Sequence, residues 1–290
     1  MRVWAGQLRI ITLHTFDFSE LERRWCIFKK IDLNNHAINH HNRNNLNRTS
    51  NHERKMKIMV FDTETTGLPP KNRQCMDPAQ WPHIVQLSYL IYDTDADKIQ
   101  EFKDVIISLG THIPLSDESV AIHGITRELS LTKGIDIRIA LFDFKTALAQ
   151  CSKCVAHNLG FDTDMLQMEA RRNQMSFFFP SPFCTMRVST DLCKLPSPHG
   201  MGYKWPKLLE LHEHLFQRVP KNVHNSKIDT IVTLRCYHML VHNEDLCRSS
   251  REFRALFRNH CTIECERDEL GEFGDMNEMP SPPKPIETEK

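Results

Sequence analysis

The chain has 290 residues, 40% of them apolar, and its 37 Lys and Arg balance 37 Asp and Glu to a formal net charge of zero. That is enough apolar side chain for one large domain or two small ones, and it excludes a globally basic surface as the means of holding a polyanion, which would need a local patch or bound metal instead. Ten cysteines without a secretory leader pattern lead us to expect reduced thiols in the cytoplasm or nucleus, and no apolar run approaches the length of a membrane span.

Residues 1–55 are basic and contain the tract "NNHAINHHNRNNLNRTSNHERK". Such a composition cannot bury enough apolar area to offset ordering entropy, so a disordered leader is expected there. From Lys57 the pattern changes. Strands are predicted at 57–63, at 84–93 ("IVQLSYLIYD") and at 99–108, separated by turn-rich loops. Helical spacing follows at about 136–150, then a short strand at 153–156, a helix from Asp162 to about Arg172, and the proline-rich loop "FFFPSPFC". Pro206 opens a helix with Leu208, Leu211 and Leu215 on one side, and another runs from about Asn225 to Val241. Strands first, then helices alternating with strands, predict an α/β fold with mixed strand directions. The stretch after Cys261 is acidic and ends in "MPSPPKPIETEK". The expected organisation is a leader at 1–55, a folded domain at 56–258 and an acidic, proline-containing tail at 259–290.

In "KIMVFDTETTGL" an apolar strand ends in Asp62 and Glu64, one residue apart. Side chains alternate along a strand, so both carboxylates fall on one face, where they repel unless a cation or an unusual protonation state compensates them. A divalent metal is the simplest such partner. About a hundred residues on, "VAHNLGFDTDML" puts Asp162 where a strand-turn-helix unit projects side chains above a sheet edge, a usual place for ligands and also a place for a plain N-cap. In "VHNSKIDTIVTL", His224 precedes a helix and Asp229 lies about one turn inside it, on the side opposite Ile228, Ile231, Val232 and Leu234. Cys151 and Cys154 ("CSKC") could join Cys261 and Cys265 ("CTIEC") at zinc, although buried free cysteine is the commoner fate of such residues.

Taken in order, "FDTETTG", "HNLGFD" and "HNSKID" resemble the three motifs of the DEDDh family of 3′→5′ exonucleases, which includes proofreading subunits of replicative DNA polymerases, oligoribonuclease relatives and exonucleases of large DNA viruses. The likeness runs from about Met56 to about Val241, and "IHGIT" (122–126) and "KWPKLLELHEHLF" (204–216) resemble segments the family carries between its motifs. The resemblance implies an RNase H-like mixed β-sheet flanked by helices. It also implies that Asp62, Glu64, Asp162 and Asp229 bind two divalent ions, Mg²⁺ or Mn²⁺, with His224 as general base. By the same resemblance Thr65, Thr66, His123 and Phe161 would surround the terminal nucleotide. Their plainer readings are a turn for the two threonines, a local hydrogen bond for His123 and a core position for Phe161. The implied activity is release of nucleoside 5′-monophosphates from DNA or RNA 3′ ends, single-stranded or frayed, in company with a polymerase or a replication or repair partner. Two other readings are a catalytically silent nucleic-acid-binding or polymerase-associated module of the same fold, and a zinc-dependent binding protein.

Overall fold

The structure, a computed structural model, describes residues 56–72, 77–198, 200–220 and 224–261. The expected leader at 1–55 and all but the first residues of the expected tail lie outside the described residues. Internal contacts divide the chain into two units, Met1–Glu53 and Arg54–Lys290, and every described residue belongs to the second.

Five strands, β1 (Lys57–Thr65), β2 (Ile84–Asp93), β3 (Lys98–Ile106), β4 (Lys153–Ala156) and β5 (Pro182–Cys184), form one sheet in the order β3-β2-β1-β4-β5. β2 runs antiparallel to both β1 and β3, whereas β4 is parallel to β1 and β5 is parallel to β4. The mixed directions expected from the sequence are therefore present. Every residue of β2 is buried, as a strand covered on both faces requires, and that is why it reads as an almost unbroken apolar run.

The longer helices are α1 (Asp117–His123), α2 (Arg127–Lys133), α3 (Ile137–Leu148), α4 (Leu159–Arg172), α5 (Leu208–Phe216), α6 (Ser226–His242) and α7 (Arg251–His260), with single turns at Thr185–Val188, Thr190–Cys193 and Leu246–Ser249. They cover both faces of the sheet. On one face Phe61 and Tyr89 meet Phe144 of α3 edge-on, with ring centres 5.3 and 5.5 Å apart. On the other, Ile58, Val60, Leu90 and Val155 share a core with Ile231 and Val232 of α6, Leu211 and Leu215 of α5, and Phe253 and Phe257 of α7. Even-numbered residues of β1 thus face α6, and Asp62 and Glu64 continue that row beyond the apolar core.

The structure departs from the expected elements in three places. α1 and α2 occupy a stretch left unassigned by periodicity, each short and each opened by a capping hydroxyl, from Ser116 and Thr126. α4 begins at Leu159, three residues before Asp162, because Asn158 takes a left-handed conformation with φ of 63° and turns the chain early. α7 and Cys261, which is buried, belong to the main core, so the packed structure runs on to Cys261.

α6 lies between the sheet and its neighbouring helices, and burial extends round most of its girth, including Arg235 at 1% exposure. The guanidinium donates to both carboxylate oxygens of Asp245 at 2.8 and 2.7 Å and to His212 Nε2 at 3.1 Å, between the rings of Phe216 and Phe257. Burial, and then the Arg235 charge, push His212 down to about 3, so its neutral ring accepts at Nε2 and donates from Nδ1 to the Arg218 carbonyl. Arg235→Ala should lower unfolding stability by roughly 3–5 kcal/mol, because it strands a buried carboxylate. A shift in the urea midpoint at constant slope checks this, and an unchanged midpoint would refute it.

Candidate active site

The carboxylates of Asp62, Glu64 and Asp229 converge: each offers an oxygen within 4.8 Å of the others'. Asp62 and Glu64 come from the end of β1 and Asp229 from the first turns of α6, where Asn225 caps the helix by accepting the Lys227 N–H. The helix is seated on the strand by the Ser226 hydroxyl, which donates to the Asp62 carbonyl at 2.6 Å, while the Thr230 hydroxyl reaches the Ser88 carbonyl at 3.4 Å. Lys227 pairs with Asp104 at 3.2 Å, and Asp104 also accepts from Gln86 and Ser88.

Asp162 approaches from the opposite face of β1. Its Oδ1 accepts from the Thr63 N–H at 3.0 Å and the Thr63 hydroxyl at 2.8 Å. The capping role open to it from sequence is not the one it takes, since it lies inside the first turns of α4 and is tied to the strand. Thr63 is the alternate residue between Asp62 and Glu64, so it points to the α4 side while they point to the α6 side.

Burial and crowding favour protonated carboxyls here. Asp62 is raised well above the ordinary carboxylate range by burial, with the charges of Asp162, Asp229 and Glu64 adding to it. Glu64 is pushed up to about 8 by burial and then by Asp229 and Asp162. Burial lifts Asp162 to about 7 against the two Thr63 hydrogen bonds, and lifts Asp229 to about 7 against the backbone N–H of His224. Asp229 Oδ1 is buried with no hydrogen-bond partner. An all-carboxylate cluster with an unpartnered buried oxygen fits a hard divalent cation such as Mg²⁺ or Mn²⁺.

The raised values carry a stability prediction for the metal-free protein. Carboxyls that hold their protons more tightly folded than unfolded stabilise the fold fully below about pH 4, and that contribution is lost as pH rises through about 7 to 8. In chelator, thermal midpoints should fall across this window, and saturating Mg²⁺ should remove the slope because the ion replaces the protons. Midpoints that rise with pH in chelator would contradict the assignment.

His123 ends α1 and is buried, followed by Gly124 at φ of 74°. Its Nδ1 accepts from the Ile125 N–H at 3.0 Å, so the ring proton is on Nε2, which lies near the Thr65 carbonyl without closing a hydrogen bond to it. Burial lowers its pKa, against an opposing pull from the Thr65 carbonyl. The Thr65 hydroxyl donates to the Gly67 carbonyl at 2.7 Å, and Thr66 Oγ1 accepts from the His83 N–H at 3.0 Å. Phe161 is half-buried in the first turn of α4. His224 is exposed on the loop before α6, with φ of 74°, a conformation non-glycine residues adopt at a cost of roughly 1–2 kcal/mol.

Sequence reading did not anticipate the clasp behind Thr66. Glu169, buried on α4, accepts from the Ile84 N–H, from His83 Nδ1 at 3.0 Å and from Arg172 at 2.8 Å. Arg172 also donates to the carbonyls of Pro78, Trp81 and Pro82. The segment so held returns two hydrogen bonds to Thr66. "MEARR" read alone gives an exposed helix end, and only the loop packed against it reveals the role.

Among the described residues the cysteines form no group of three that could hold a metal ion. Cys151 and Cys154 are buried, and burial pushes their thiols to about 12 and about 11. Among the described residues the cluster of three carboxylates contains neither Cys nor His, and Cys265 lies outside the described residues. No helix among the described residues is long and apolar enough to cross a membrane.

A family model described as Exonuclease matches residues 59–237. E. coli Exonuclease I in complex with a dT13 oligonucleotide is similar in structure, with a TM-score of 0.51 at 16% identity over 70% of this chain and 43% of that one. A second Exonuclease I structure, described as suggesting how processivity is achieved, gives 0.51 at 17% identity over 70% of this chain and 44% of that one. The complex of E. coli Exonuclease I with a dA16 oligonucleotide gives 0.50 at 15% identity. At such identities the likeness is one of fold, and this chain spans less than half the length of those proteins. No curated protein sequence matches the chain.

Proposed function

The chain belongs to the Exonuclease family, whose model covers residues 59–237, and from that premise we propose that it is a metal-dependent 3′→5′ exonuclease releasing nucleoside 5′-monophosphates. The observation that carries this reading is the convergence of Asp62, Glu64 and Asp229, with an unpartnered buried oxygen on Asp229, at the end of the central strand in a chain of that family.

Asp62, Glu64 and Asp229 would hold divalent cations directly, and Asp162, braced by Thr63, would complete the acidic site. Two Mg²⁺ or Mn²⁺ ions, when bound, neutralise charge on the attacking and leaving oxygens and make water a better nucleophile. His224 would take a proton from the attacking water onto an imidazole nitrogen, from the exposed loop that its backbone N–H ties to Asp229. Its positive φ supports such a role, since strained non-glycine conformations collect at functional sites. His123 would turn its Nε2–H, which makes no closed hydrogen bond with the nearby Thr65 carbonyl, to an oxygen of the terminal nucleotide. Thr65, Thr66 and Phe161 would line that nucleotide, with Thr66 held in place by His83.

The test is digestion of single-stranded DNA and RNA labelled at the 5′ end. Stepwise shortening with mononucleotide release in Mg²⁺ or Mn²⁺, stopped by chelator, is expected. Activity undiminished by chelator, or mononucleotides released from the 5′ end first, would overturn the proposal. Binding without hydrolysis in either metal would favour the catalytically silent module.

A further inference from the structure

At the carboxylate end of the sheet, the segment Tyr203-Lys204-Trp205-Pro206-Lys207 leaves two aromatic side chains in solvent, Trp205 at 62% exposure and Tyr203 at 46%. Large aromatics are ordinarily well buried, and paired exposed ones interleaved with lysines call for an occupant. The segment is firmly anchored. Its Lys204 N–H donates to the Leu195 carbonyl at 3.0 Å, Tyr203 bridges Pro196 in antiparallel fashion, and the Pro206 carbonyl meets His157 Nε2 at 3.0 Å. The other ring nitrogen of His157 is held by the Thr185 hydroxyl at 2.9 Å.

His157 fixes where this segment stands. β4 runs parallel to β1, pairs with it last at Val60 and Val155 and ends at Ala156, so His157 leaves β4 at the same end of the sheet as Asp62 and Glu64 on β1. Val155, two residues earlier, belongs to the core beneath α6. Through the Pro206 carbonyl, the aromatic segment is therefore held at the carboxylate end of the sheet, on the β4 side of β1. Lys204 is paired with Glu210, whose second oxygen accepts the Lys207 N–H, while the Lys207 side chain is exposed.

We propose that Tyr203, Trp205 and Lys207 form a stacking platform for single-stranded nucleic acid, holding bases upstream of the 3′-terminal nucleotide. The direction of the strand rests on the exonuclease reading above; the platform itself rests on the exposed rings, their anchorage and their place at the carboxylate end of the sheet. Stacking uses the faces of the bases, so it tolerates any sequence and either sugar, while Lys207 meets the backbone. Loss of one ring should weaken binding of a strand by roughly 5- to 100-fold, the equivalent of one stacked base.

The full chain should be titrated, in chelator to prevent cutting, with labelled DNA and RNA single strands of about twelve nucleotides and with a dinucleotide. Trp205→Ala and Tyr203→Ala should weaken the long strands of both sugars, Trp205→Phe should restore most of the affinity, and the loss on the dinucleotide should be smaller. Unchanged affinity for the long strands, or an equal loss on the dinucleotide, overturns the platform. A parallel assay of mononucleotide release in Mg²⁺ separates the two ideas: native hydrolysis with unaltered binding by the Ala variants sinks the platform alone, and no hydrolysis with ring-dependent binding sinks the exonuclease reading alone.

Discussion

Asp229→Asn is expected to lower turnover by about 10³-fold or more while leaving the fold intact, since loss of a ligand removes several kcal/mol of transition-state charge stabilisation. Asp62→Asn and Glu64→Gln should behave alike, because the three carboxylates share one point. Each substitution keeps the side-chain shape and deletes charge from a crowded cluster, so the metal-free variant should unfold at a higher temperature than the native chain at alkaline pH. Asp162→Asn is the informative contrast. Its amide oxygen can still accept from Thr63 N–H and hydroxyl, and it lies outside the close group of three. Its turnover should also collapse, yet calorimetric titration with Mn²⁺ should find a smaller loss of affinity than for Asp229→Asn. Native turnover by the Asp229→Asn protein, with native metal affinity, would remove the cluster from the chemistry.

How much of this could be read from the chain depended on the physics behind each feature. β1, β2 and β4 were legible because strands buried in a sheet concentrate apolar residues, and the alternation in "FDTET" correctly put Asp62 and Glu64 on one face. α1 and α2 were not, because two turns of helix carry no measurable period and owe their ends to single caps. Asp162 was legible as a candidate but not in its partner. Its bonds to Thr63 join residues far apart in sequence, and they depend on α4 packing across β1. Arg235 was invisible for a related reason: a lone arginine reads as an exposed face until Asp245 and His212 are seen to close around it. The Glu169–Arg172 clasp was missed in the same way.

His224→Ala should lose roughly 10²- to 10⁴-fold in turnover near neutral pH, the range for a positioned general base. Metal affinity should be retained, because His224 is not among the clustered ligands and meets Asp229 through its backbone N–H, which alanine keeps. The pH profile is the sharper readout, although two effects run the same way. An imidazole can take a proton only when neutral, so activity that depends on it falls toward acid. Glu64, pushed up to about 8, and Asp162 and Asp229, raised to about 7, must also lose protons before cations bind, which depresses activity at low pH as well. Measuring kcat at saturating Mn²⁺ at each pH removes the second effect. The acid limb that survives in the native chain should then be absent from His224→Ala, with partial recovery at alkaline pH, where hydroxide is available as nucleophile. His224→Gly separates chemistry from strain, since glycine accepts φ of 74° freely and should be at least as stable as the native chain while being as slow as His224→Ala. If His224→Ala at saturating metal keeps the native rate and the native acid limb, the proton leaves by another route and His224 serves only to turn the chain into α6.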